Sequence, residues 1–158
     1  MSDFVMNTDG EYGKYITQTL QAPERVMSGE FAEIYKQWGQ RLLWMDANVV
    51  PGAFQMNTTW YVNAPDMRPL AGHGEHVHDF DELIGFLGSD YTDPYDLGAV
   101  IEIGINGELH RLTKSSIIFM PGGLKHLPLS ILELHRPVLH FSISMSPYYT
   151  IAKRSEDT

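Results

Sequence analysis

Two segments of this 158-residue chain alternate so regularly that they constrain its architecture before any single residue is considered. Across residues 54–62, Gln55, Asn57, Thr59 and Tyr61 share one face, while Phe54, Met56, Thr58, Trp60 and Val62 share the other. Across 138–144, His140, Ser142 and Ser144 face one way and Leu139, Phe141 and Ile143 the other. Period-two alternation is the pattern of a half-buried strand and suits the wall of a barrel. It leaves open which face is inside, because an enzyme cavity can itself be polar. Residues 41–46, 83–87, 99–105, 108–113 and 117–120 are further strand segments, and Asn106-Gly107 is a hairpin signal between two of them. The chain reads as mainly β.

Its first forty residues differ. Ala22-Pro23-Glu24-Arg25 can open a helix with proline in the first turn, and Phe31, Ile34, Tyr35 and Trp38 follow at helical spacing. A short amphipathic helix covering one barrel face is expected there; a partner-binding surface is the alternative. Residues 88–98 are rich in turn formers, and their aspartates lack the spacing of a calcium-binding helix–loop–helix loop. A solvated loop is expected, with a lid over a pocket as the second reading.

The length fits one domain with a core of its own. No cysteine is present, which excludes disulfides, thiolate ligands, iron–sulfur clusters and a cysteine nucleophile. The start, Met1-Ser2-Asp3-Phe4-Val5, lacks the basic and apolar regions of a secretory signal, and no apolar stretch is long enough to span a bilayer, so a cytoplasmic protein is expected. A net charge of −9 repels phosphate backbones and anionic lipid, which argues against nucleic-acid and membrane partners.

Chemistry concentrates in two places. His76, His78 and Glu82 lie in the run His76-Val77-His78-Asp79-Phe80-Asp81-Glu82, and His126 ends Pro121-Gly122-Gly123-Leu124-Lys125-His126. Three imidazoles and a carboxylate can bind a divalent metal directly. His76 and His78 share a strand face, but on a straight strand Glu82 would lie about 13 Å beyond His78, too far for one coordination sphere. The chain must bend at Asp79 to Asp81, so that Glu82 returns on a neighbouring strand. The Pro-Gly-Gly turn after residues 117–120 can swing His126 to the same place.

These residues resemble the two motifs of the cupin superfamily. The first is His-x-His followed after a short gap by Glu, matched by His76, His78 and Glu82. The second is Pro-x-Gly-x-x-His, matched by Pro121, Gly123 and His126. Ser115 and Ser130 stand where the family often has Gly and Asn, positions that bear on turn geometry and not on metal ligation. The resemblance implies a single antiparallel β-barrel of jelly-roll type with a metal in its mouth, held by His76, His78, Glu82 and His126. The whole chain would be one cupin domain, with 1–40 an extension carrying the helix, 41–148 the barrel and 149–158 a tail.

Other polar side chains are candidates for the pocket. His140 is a candidate acid–base or substrate-binding group if its face looks inward, and a surface histidine if it looks outward. Tyr61 could donate a hydrogen bond to a bound oxyanion, and Arg68 could grip a carboxylate. Glu102 reads as a solvent-facing strand residue, and His73, His110 and His135 as surface or turn residues.

Three neutral histidines and one carboxylate leave a six-coordinate divalent ion two open positions. Mn2+ or Fe2+ suits this mixed nitrogen–oxygen set best, and Zn2+ or Ni2+ could also occupy it. The expectation is a metal-dependent enzyme acting on a small oxygenated molecule chelated to the ion, by lyase, isomerase, hydrolase, decarboxylase or dioxygenase chemistry. The alternative is a non-catalytic metal- and small-molecule-binding module. Exposed barrel edges make a homodimer the expected assembly.

Overall fold

The computed structural model describes residues 9–150 and the backbone of 153–154. Ten strands form two five-stranded antiparallel sheets. They are β1 (Gly39–Met45), β2 (Gln55–Tyr61), β3 (His76–Val77), β4 (Glu82–Gly88), β5 (Asp96–Ile105), β6 (Glu108–Lys114), β7 (Ser116–Met120), β8 (His126–Leu134), β9 (Val138–Ser144) and β10 (Lys153–Arg154). The first sheet runs β1-β2-β9-β4-β7 and the second β10-β3-β8-β5-β6. The jelly-roll class is therefore the observed one. Between the sheets lies a core in which Trp38, Phe86, Ile101, Ile103 and Ile131 are fully buried.

The alternating strands resolve their own ambiguity. In β2 the polar face is the inner one: Gln55, Thr59 and Tyr61 are buried, whereas Phe54 and Val62 are exposed. In β9, Ser142 and Ser144 are buried. Cross-strand register then arranges the inner face of the first sheet in rows. Gln55, Ser144, Glu82 and Met120 form one row, and Trp44, Asn57, Ser142, Ile84 and Ile118 the next. Arg41, Thr59, His140, Phe86 and Ser116 make a third. Arg41 and Trp44 are three residues apart yet share a face, because a β-bulge between Arg41 and Leu43 inserts one extra residue.

The expected helix is two short ones, α1 (Glu24–Met27) and α2 (Gly29–Tyr35), separated at Ser28, with Gly29 at φ +79°. Trp38 lies past α2 but is fully buried. The Asn106-Gly107 hairpin joins β5 to β6 with both residues at positive φ, as a two-residue turn of that kind requires. No helix among the described residues is long and apolar enough to cross a membrane.

Candidate metal centre

The bend demanded by the ligand spacing is present. His76 belongs to β3 in the second sheet and Glu82 to β4 in the first, so residues 78–81 carry the chain across the gap between the sheets. His126, the first residue of β8, pairs directly with His76. Two backbone contacts fasten the turns together: the Gly123 N–H donates to the His78 carbonyl and the Gly122 N–H to Asp81 Oδ1, each at 2.8 Å. Gly123 sits at φ +85°, which only glycine adopts without strain.

All four candidate ligands are buried. The coordinating atoms of His76, His78 and His126 lie within 4.8 Å of one another. His76 Nε2 is 3.1 Å from His78 Nε2, and Glu82 Oε2 approaches from the other sheet to 3.2 Å from His78 Nε2. Metal–ligand bonds of about 2.0–2.2 Å place adjacent donors of an octahedron roughly 3 Å apart, so these separations suit neighbouring coordination positions.

The proton positions point the same way. Each ring donates its Nδ1–H to a backbone carbonyl: His76 to Gly74 at 2.9 Å, His126 to Leu124 at 2.9 Å and His78 to Thr150 at 2.5 Å. Such bonds fix the tautomer and leave Nε2 with its lone pair. Three lone pairs and a carboxylate then converge, an arrangement that repels itself unless a cation lies between them. His126 Nε2 and Glu82 Oε2 are buried without a hydrogen-bond partner among the described residues. Burial pushes the His76 pKa down from 6.5 to about 3, and burial likewise lowers that of His126. Both rings are neutral at pH 7, as ligation requires. The residues present fit a divalent metal.

A cavity of about 380 Å³ opens beside these ligands, lined among others by Tyr35, Asn57, His140, Ser142 and Tyr149. His140 faces inward, donates Nδ1–H to the Gly85 carbonyl at 3.0 Å and stacks between Tyr61 and Phe86 at 5.1 and 4.9 Å. Burial takes its pKa from 6.5 down to about 3. Tyr61 is fully buried behind His140 and does not line the cavity; its hydroxyl has no partner among the described residues. Arg68 is exposed and also lies outside the lining. The arginines that do line the cavity are Arg25 and Arg41. Periodicity alone hides Arg41, because the bulge that aims it inward breaks the alternation.

Some expectations need correction. His73 is a turn residue, its N–H closing on the Leu70 carbonyl, but not a surface one: it lines the cavity, because residues 70–73 pair with β8 through Leu70 N–H to Leu129 O and Leu129 N–H to His73 O. The helical segment likewise contributes Val26, Phe31 and Tyr35 to the cavity wall. None of residues 89–96 lines the cavity, so the second reading of that loop as a lid gains nothing. Glu102 pairs with Arg111, His110 with Glu108 and His135 with Glu133 at the surface, as expected. Ser115, standing in place of glycine, accepts the Gly88 N–H and donates to the Pro94 carbonyl, bracing that loop instead.

The fold is that of the cupins. A solved oxalate oxidase in complex with the substrate analogue glycolate is 13% identical, with a TM-score of 0.51 over 92% of this chain and 67% of that one. The KdgF protein of Halomonas is 15% identical, with a TM-score of 0.40 over 76% of this chain and 82% of its own. A cupin superfamily protein of Desulfitobacterium hafniense is 11% identical, with a TM-score of 0.40 over 68% of this chain and 75% of its own. No protein-family model matches the chain, and no curated protein does either.

Proposed function

We propose that this protein is a metal-dependent cupin enzyme, acting as a homodimer on a small oxygenated organic substrate that chelates the metal. The observation that carries this reading is the convergence of three Nε2 lone pairs and the Glu82 carboxylate beside a cavity that also presents Asn57, His140 and Ser142. Mn2+ or Fe2+ suits the donor set best, with Zn2+ or Ni2+ as alternatives. When bound, such an ion supplies Lewis acidity toward a carbonyl, enolate or water oxygen, and with iron or manganese also access to dioxygen.

The chain's own groups do the rest. His76, His78, His126 and Glu82 would hold the ion, and the hydrogen-bonded Nδ1 atoms of the three histidines keep their rings from turning. Asn57 and Ser142, neighbours in one row, offer hydrogen bonds to substrate oxygens. His140 Nδ1–H is committed to Gly85, so Nε2 is the atom that receives a proton. Burial lowers its pKa to about 3, so the ring is neutral at pH 7 with the Nε2 lone pair free; it takes the base role in this reading when a bound anionic substrate raises its pKa toward neutrality. Tyr61 acts on the substrate only through the His140 ring it supports, and Arg68 has no part in the site.

Water-proton relaxation on manganese-loaded protein tests the open coordination sphere. A rapidly exchanging bound water, displaced by small hydroxy or keto acids, supports the enzyme reading. A closed sphere that no such acid perturbs favours a module in which the metal only braces the barrel.

A further inference from the structure

Arg41 is the unusual charge in this cavity. The bulge after it turns its guanidinium inward, where it lies over the Tyr35 ring at 4.0 Å. The Tyr35 hydroxyl is occupied by Thr59 Oγ1 at 3.0 Å, which holds the ring that supports it. Among the described residues the Arg41 guanidinium has no ion pair and no hydrogen bond. Arg25, exposed at the rim of the same cavity, donates a hydrogen bond to the Tyr149 carbonyl at 3.2 Å. Among the described residues the only carboxylate in the lining is Glu82, which belongs to the candidate metal centre. A chain with net charge −9 thus places a half-buried guanidinium, Arg41, and an exposed one, Arg25, on one cavity, and among the described residues no acid there neutralises them. Burying a cation without a partner is costly, so such a group is expected where a ligand supplies the anion.

We propose that Arg41, seconded by Arg25, is an anion subsite: the ligand carries a carboxylate beyond the group that chelates the metal. The subsite deepens the enzyme reading by naming a dianionic substrate class. Arg41 stands two rows from Glu82 and at the far side of the first sheet, so the two anionic groups sit at opposite ends of the molecule. The planar fork of an arginine accepts a carboxylate through two parallel hydrogen bonds.

Calorimetric titration of manganese-loaded protein with malonate, succinate and glutarate, each against its monoamide, tests this. At least one diacid should bind about 10-fold or more tightly than its monoamide, the size expected of a charge-assisted pair. Arg41→Gln should abolish that preference with manganese stoichiometry unchanged, Arg41→Lys should keep part of it, and Arg25→Gln should weaken it less. Absence of any diacid preference in the wild type, or its survival in folded Arg41→Gln, overturns the proposal. Should manganese not bind at all, the metal reading fails by itself. The subsite is then decided on metal-free protein, by whether a diacid raises the melting temperature of the wild type but not of Arg41→Gln.

An independent observation concerns the outer face of the first sheet. Its cross-strand rows are Met45, Met56, Ile143, Leu83 and Phe119; Leu43, Thr58, Phe141, Gly85 and Ile117; and Gln40, Trp60, Leu139 and Leu87. No charged side chain interrupts them, although Ile117, Phe119 and Met145 are each about 60% exposed. The second sheet's outer face shows the usual alternative, with Glu102, Arg111 and Glu133 in neighbouring register. Five strands and three rows make a footprint of roughly 500 Å², in the upper part of the range for the largest apolar patch on a monomer, which is often an interaction site. Two such faces bury about 1,000 Å², the lower bound for a specific contact.

We infer that a second copy of this chain covers this face, sheet against sheet, and not strand edge against strand edge. An uncharged patch is complementary to itself, and the two-fold contact keeps the charged second sheets of two acidic chains on the outside. Sedimentation of the wild type at micromolar concentration should give twice the 17.9 kDa of one chain. Ile117→Lys with Phe119→Lys, and separately Leu83→Lys, should give folded monomers by circular dichroism, while Leu109→Lys on the opposite sheet stays dimeric. A monomeric wild type, or lysine variants of the patch that remain dimeric, contradicts it.

Discussion

The Gly122 N–H donates to Asp81 Oδ1 at 2.8 Å, so an exposed aspartate in the first motif holds the turn of the second. Together with the Gly123–His78 bond, it fixes the distance between the turn leading to Glu82 and the turn leading to His126. Asp81→Ala removes a charged acceptor without touching a ligand. We expect a loss of about 1–3 kcal/mol in stability, measured by urea unfolding, and weaker metal binding at unchanged stoichiometry.

His140 gives the metal-free protein a pH signature. Its pKa falls from 6.5 to about 3 on folding, so between those values the unfolded chain binds a proton that the native ring refuses. Stability is fully present above pH 6.5 and declines as pH falls. Each such histidine contributes up to ~1.4 kcal/mol per pH unit. His140→Gln should flatten the decline in urea unfolding measured across that range; an unchanged slope would show that the ring is not held neutral.

Much of this was legible in the sequence. The ligand spacing required a crossing between sheets before His78 could meet Glu82, and the alternation of residues 138–144 marked β9 to its ends. Strand β8 was not legible. Pro128 lies inside it, and proline argues against a strand interior; the chain tolerates it because the ladder to β5 is interrupted there, between Ile103 and Ile105. Arg41 was hidden for a related reason, since a bulge reverses the face that alternation assigns. His73 gave no local signal because its place in the cavity wall comes from pairing with β8, more than fifty residues away.

That irregularity beside the site makes Gly104 sensitive. A Cβ there would meet the Leu127 carbonyl oxygen at 2.5 Å and Pro128 Cδ at 3.0 Å. Leu127 directly follows His126 and is itself at φ +67°. Gly104→Ala must push β8 away from β5, and should cost about 1–3 kcal/mol. Metal affinity, measured by competition with a chelating dye, should fall as well, because the displaced segment carries a ligand.

Metal should stabilise the fold, since its ligands come from both sheets. At a free ion concentration one hundred times the dissociation constant, binding adds about 2.7 kcal/mol. Melting curves with Mn2+ and with a chelator should separate accordingly. Coincident curves would mean that the donors do not act as one site.

Elemental analysis of the purified, metal-reconstituted protein tests the central claim most directly. The wild type should hold close to one divalent transition metal per chain, lost in folded His76→Ala and His126→Ala and retained in Arg68→Ala. A wild type that holds no metal, or a folded His126→Ala variant with unchanged metal content, would contradict it.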